Sequence, residues 1–176
     1  MRHILLLLLM ALSASAQNQQ TFSGSSGDIT LAAAAATTLT IQQPAVGAKQ
    51  VQLWRATASC DTQTFTVSQA SNGTAATATA AARVALSPIK GTPTPVATVT
   101  AWSASNVGAG TAIWGTLAFS GGPAVLDLSQ ITMFQTGTAT NYSITVTNTG
   151  AASCTGRITI QWREGDLLSG GARSIP

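Results

Sequence analysis

Apolar and polar residues alternate with a period of two along most of this chain, and that period marks half-buried β-strands. The clearest case lies near the end. Tyr142, Ile144 and Val146 alternate with Ser143, Thr145 and Thr147; after a small-residue loop, Ile158, Ile160 and Trp162 alternate with Thr159 and Gln161. This spacing predicts a last hairpin from Asn141 to Arg163. A second hairpin is predicted from Gln50 to Val67. Val51 and Leu53 oppose Gln52 and Trp54 in its first run, and Phe65 and Val67 oppose Thr64 and Thr66 in its second. Asp28 to Ile41 pairs Ile29 with Leu31, and Leu39 with Ile41, around a run of alanines. Alanine favours helix, but the run is too short to hold one and threonines follow, so two strands or one bent strand are expected. Residues before Asp28 read as a polar lead.

Further strands are predicted at Arg83 to Leu86, Val96 to Ser103, Thr111 to Phe119 and Val125 to Leu128, with Thr74 to Ala82 as an edge strand or an extended surface segment. Turn signals separate them: Pro44 with Gly47, Ser71-Asn72-Gly73, Gly91 to Pro95, Asn106 to Gly110, Gly121-Gly122-Pro123 and Gly137. About nine short strands with no convincing helix predict an all-β antiparallel sandwich or jelly roll. Thr-Ala alternation gives local similarity without the fixed period of a solenoid.

The first 16 residues change the setting of that fold. Arg2 and His3 precede an apolar run from Ile4 to Leu12 and a small-residue site, Ala14-Ser15-Ala16, which is the layout of a secretory signal. The apolar run is well short of the roughly twenty residues that span a bilayer, so a membrane anchor is not expected after cleavage. A single domain is expected from 17 to 163, followed by a loose Gly- and Ser-containing tail from 164 to 176. In an exported chain the two cysteines are expected to pair. Cys60 and Cys154 each fall in the loop of a predicted hairpin. A bridge between them closes a loop of about ninety residues and restricts the unfolded chain by about 4 to 5 kcal/mol.

Charged residues make up only 7% of the chain, so its surface is built from Thr, Ser, Gln, Asn and Gly, which suits an exported or assembling protein. The basic residues past the signal, Lys49, Arg55, Arg83, Lys90, Arg157, Arg163 and Arg173, are scattered, and no nucleic-acid patch is expected. His3 is the sole histidine and leaves with the signal. A Ser-His-Asp triad, a Cys-His pair and a histidine-ligated metal are therefore excluded from the mature chain, and no cofactor is expected. A glycosidase would need a pair from Asp28, Asp61, Asp127, Glu164 and Asp166; their ordinary reading is solvated turn and tail positions. Calcium could use Asp61 or Asp127, without an acidic cluster to support it. Gly108-Ala109-Gly110 reads as a turn, not a phosphate loop.

Among the four tryptophans, Trp162 continues the apolar series of its strand and reads as core, and Trp114 is out of phase. Trp54 and Trp102 fall opposite apolar partners and are the candidates for stacking on a polysaccharide, against the alternative of packing or a subunit contact. Thr74, Thr77 and Thr79 form a short threonine row of the kind that orders water, but no repeat extends it. Asn72-Gly73-Thr74 and Asn141-Tyr142-Ser143 match glycosylation acceptors.

The stretch from Ser71 to Ile113, with its Asn72-Gly73-Thr74 turn, Thr/Ala run, Pro-containing loop, Ser105-Asn106-Val107-Gly108 and Gly110-Thr111, resembles short β-rich proteins of bacterial and phage-derived sequences. The ending Ile158 to Glu164 is similar to theirs as well. The resemblance covers about half of the mature chain and implies a small all-β protein associated with a virion or a cell surface, with no catalytic residues. A signal peptide departs from a virion protein assembled in the cytoplasm and favours export. The sequence therefore predicts a secreted, non-enzymatic structural or interaction protein, whose partner is itself or another surface component. A carbohydrate-binding module is the alternative.

Overall fold

The structure, a computed structural model, describes residues 20–43, 49–71, 79–80, 82–85, 97–103, 111–133 and 140–166. The signal segment, the turns predicted at Pro44/Gly47, Asn72-Gly73, Gly91 to Pro95, Asn106 to Gly110 and Gly137, and residues 167–176 of the predicted tail lie outside them. In chain order the strands are β1 (Gln20–Ser25), β2 (Ile29–Leu31), β3 (Ala36–Gln43), β4 (Lys49–Cys60), β5 (Thr64–Ser71), β6 (Thr79–Ala80) and β7 (Ala82–Ala85). They continue as β8 (Thr98–Ser103), β9 (Thr111–Ser120), β10 (Ala124–Asp127), β11 (Thr132–Met133), β12 (Thr140–Asn148) and β13 (Cys154–Asp166).

Two antiparallel sheets pack as a sandwich. One runs β10-β4-β13-β1-β7, with β11 beside β4 and β2 beside β13; the other runs β6-β8-β3-β12-β5-β9. β1 and β2 lie along β13 as one interrupted strand, and β10 and β11 lie along β4 in the same way. Counted so, the framework is two four-stranded sheets, β10/11-β4-β13-β1/2 and β3-β12-β5-β9, in the strand order of a jelly roll. The excursion from β6 to β8 extends both sheets at one side.

No two strands that follow one another in the described chain are hydrogen-bonded to each other. This corrects both predicted hairpins. β12 pairs with β3 and β5, whereas β13 pairs with β4, β1 and β2 in the opposite sheet; β4 and β5 are divided likewise. Each loop is an arch that carries the chain across the core. Alternation establishes that a strand has one apolar face, but an arch and a hairpin satisfy it equally, and here the facing apolar surfaces come from different sheets.

The core holds Phe22, Leu31, Leu39, Ile41, Val51, Leu53, Phe65, Val67, Val99, Leu126, Leu128, Tyr142, Ile144, Val146, Ile158, Ile160 and Trp162. Phe22 stacks on Trp162 with ring centroids 5.7 Å apart. β1, predicted as polar lead, is a strand because Phe22 fills that position and Gly24 admits close approach: a Cβ there would lie 3.0 Å from Val99. A single large apolar residue leaves too little alternation to read. β13 also runs past the predicted domain end at 163. Glu164 is buried, not in a loose tail, and its Oε1 accepts from the Ala97 N–H at 3.0 Å and from Trp162 Nε1 at 2.9 Å.

At one pole the two arches meet. Cys60, the last residue of β4, and Cys154, the first of β13, form the expected disulfide, with Cα atoms 5.5 Å apart. Asn148, buried beside it, donates through Nδ2 to the carbonyls of Leu31, Ala32 and Ala152 and accepts from the Gly150 N–H. The β2–β3 turn, where Ala34 adopts φ 61°, is thereby tied to the β12–β13 arch.

Candidate functional site

The β4–β13 ladder contains one irregularity. Ile160 pairs with Ala56 and Gln161 with Arg55, but Trp162 pairs with Leu53, so Trp54 has no partner on β13. Trp54 is the extra residue of a β-bulge. The bulge shifts the phase of the strand: Val51 and Leu53 face the core before it, Ala56, Ala58 and Cys60 after it, and Trp54 and Arg55 are both exposed. On the other side of β4 the four residues between β10 and β11 arch past the same point. Leu128 N–H donates to the Trp54 carbonyl at 3.1 Å, and Leu53 N–H donates to the Ile131 carbonyl at 2.9 Å.

On the outer face so formed, the Arg163 guanidinium carbon lies 3.7 Å from the centroid of the Trp54 ring, a cation–π contact. Trp54 is still 41% exposed. Arg55 and Arg163 form no ion pair among the described residues. Asp127, opposite Arg55 in register, turns its carboxylate to the Ser129 N–H at 2.9 Å, and this bond holds it below the usual carboxylate range. Arg157, farther along β13, is bonded to Asp28 at 2.6 Å. Gln52, Thr57, Thr159 and Gln161 fill the surrounding half-exposed positions.

The two stacking candidates are not brought together. Trp54 lies in the β4 sheet, while Trp102 occupies β8 of the opposite sheet, in register with Thr38, so one flat surface cannot present both. Trp162 is in the core as predicted. Sequence reading treated the arginines as scattered and missed Arg55 and Arg163. The available signal was the break of phase after Leu53, where the next inward position would be Arg55 but the small apolar series resumes at Ala56.

The carboxylates are likewise dispersed. Asp28 bonds Arg157, Asp61 accepts from the Thr155 N–H, Asp127 caps Ser129 and Glu164 is enclosed. No group of three metal-ligating side chains occurs among the described residues, and none of their helices is long and apolar enough to cross a membrane.

A second surface is the β9 edge. Its sequence, TAIWGTLAFS, contains no charge and no proline. β9 bonds to β5 on one side and to no described strand on the other, and Leu117 at its centre is 44% exposed. Comparison of the chain with protein-family models, with curated proteins and with solved structures finds no match in any of the three.

Proposed function

We propose that this is an exported, non-enzymatic interaction protein that assembles with copies of itself, or with another surface component, through the edge of a jelly-roll sheet. The observation that carries this reading is the β9 edge. A ten-residue strand without lysine, proline or any charge lacks most of the features by which natural edges avoid pairing; its two irregularities against β5 lie before Leu117 and leave Leu117 to Ser120 in regular register. Two such edges can pair antiparallel and join their sheets, burying Leu117. The disulfide fits an oxidising compartment outside the cytoplasm, in keeping with the signal-like first 16 residues. The resemblance to virion-associated and cell-surface β-proteins points to the same setting.

Sedimentation of the mature, oxidised protein across a concentration series tests the reading. Concentration-dependent association is expected, and Leu117→Lys or Thr116→Pro should abolish it while the fold persists. A protein that stays monomeric at every concentration, with and without those changes, would overturn it. The exposed Trp54 supports a second activity, ligand binding on the outer face of the other sheet.

A further inference from the structure

We infer that the outer face around Trp54, Arg55 and Arg163 binds an anionic polysaccharide through carboxylate or sulfate groups on its sugar rings. Trp54 is surplus to the β4–β13 ladder. Without it, positions 51, 53, 56, 58 and 60 would still face the core in unbroken alternation, and the β4–β13 ladder would close. The chain instead keeps an extra residue, and that residue is a large exposed aromatic. Bulges that re-aim side chains recur next to binding sites.

A guanidinium stacked on an indole uses its π face for the contact, so its in-plane N–H donors remain directed outward in the fork that fits a carboxylate or sulfate. Stacking on Trp54 also restricts Arg163 before any ligand arrives, which lowers the entropy lost on binding. Arg55 adds a second cation on the same face because the bulge turns both Trp54 and Arg55 outward. The neighbouring Gln52, Gln161, Thr57 and Thr159 offer donors and acceptors for sugar hydroxyls. Two guanidiniums beside one aromatic ring are too few for a nucleic-acid backbone, but they match a chain that presents rings and anions in alternation.

The test is calorimetric titration of the mature, oxidised protein with polygalacturonate, its neutral methyl ester, dextran sulfate and a single-stranded oligothymidylate. Saturable binding of polygalacturonate is expected, at least about tenfold tighter than of the ester, and weakening with salt. Arg55→Gln and Arg163→Gln should each weaken it about tenfold, and Trp54→Phe should weaken it less than Trp54→Ala. Thermal unfolding of each variant checks that the fold is kept; Arg55 is exposed, so Arg55→Gln remains informative if a Trp54 variant unfolds. Binding of dextran sulfate as well would extend the site to anionic sugars in general. Three outcomes would overturn the inference: no binding of either acidic polymer, equal binding of the neutral ester, or oligothymidylate binding as tight as polygalacturonate. Association through β9 is read separately by sedimentation, so the two proposals fail independently.

Discussion

Tyr142 is the only tyrosine of the chain, and it is a buried phenol whose O–H donates to Gln69 Oε1. Burial pushes this phenol well above its ordinary value of 10.0. Above about pH 10 the unfolded chain loses the phenolic proton and the folded chain keeps it, so stability falls by about 1.4 kcal/mol per pH unit there; below that pH the group has no effect. Denaturant midpoints at about pH 9 and about pH 11 should therefore differ more in the wild type than in Tyr142→Phe. The variant should also lose about 1 to 2 kcal/mol at neutral pH, because Gln69 is left without its donor. Tyrosinate absorbance should appear only on unfolding. Asn148 makes a sharper case, since its Nδ2 faces three carbonyl oxygens. Asn148→Asp replaces that donor by an acceptor among acceptors and should cost more than Asn148→Ala, itself about 3 kcal/mol. Chemical denaturation of the two variants checks the order.

Among the elements, β4 shows how a local exception serves both fold and surface. If Trp54 is only the inserted residue of a bulge, then deleting it should leave a folded protein within about 2 kcal/mol of the wild type, the loss coming from the Leu128 N–H that bonds its carbonyl. Deleting Gln52 instead moves Val51 out of phase with the core and should cost more. Circular dichroism and urea midpoints of the two deletions measure the difference. Cross-strand hydroxyl pairs, Thr38 with Thr145 and Thr40 with Ser143, each at 2.8 Å, show why so many threonines occupy β3 and β12. They satisfy one another where side chains are buried, and branched side chains suit the strand.

For the whole molecule, the decisive feature is that neighbouring strands come from distant parts of the chain. β13, last in the described chain, lies between β1 and β4, and β12 lies between β3 and β5, so neither sheet of the framework is complete until these two late strands have docked. Folding is expected to be slow for the size of the protein, because loop-closure entropy precedes the contacts that offset it. The Cys60–Cys154 bridge, whose ends are 94 positions apart in sequence, acts on this cost by holding the end of β4 near the start of β13 in the unfolded state. Reduction, or Cys60→Ala with Cys154→Ala, should lower stability by about 4 to 5 kcal/mol. Urea midpoints with and without reductant check it.

The sequence by itself determined the all-β class, the cysteine pair, the inward positions Val51 and Leu53 of β4, the inward faces of β5, β12 and β13, and the placement of Trp162 in the core. These follow from period two and from cysteine count, which are properties of short stretches. Only the tertiary structure decided which strands are neighbours, because a strand's apolar face is equally buried by a hairpin partner's sheet or by the opposite sheet. It also decided that Glu164 is enclosed, that Trp102 lies in the sheet opposite Trp54, and that Arg163, more than a hundred residues away, stacks on Trp54. Such contacts depend on register between distant segments, and a one-residue bulge in β4 is enough to set them.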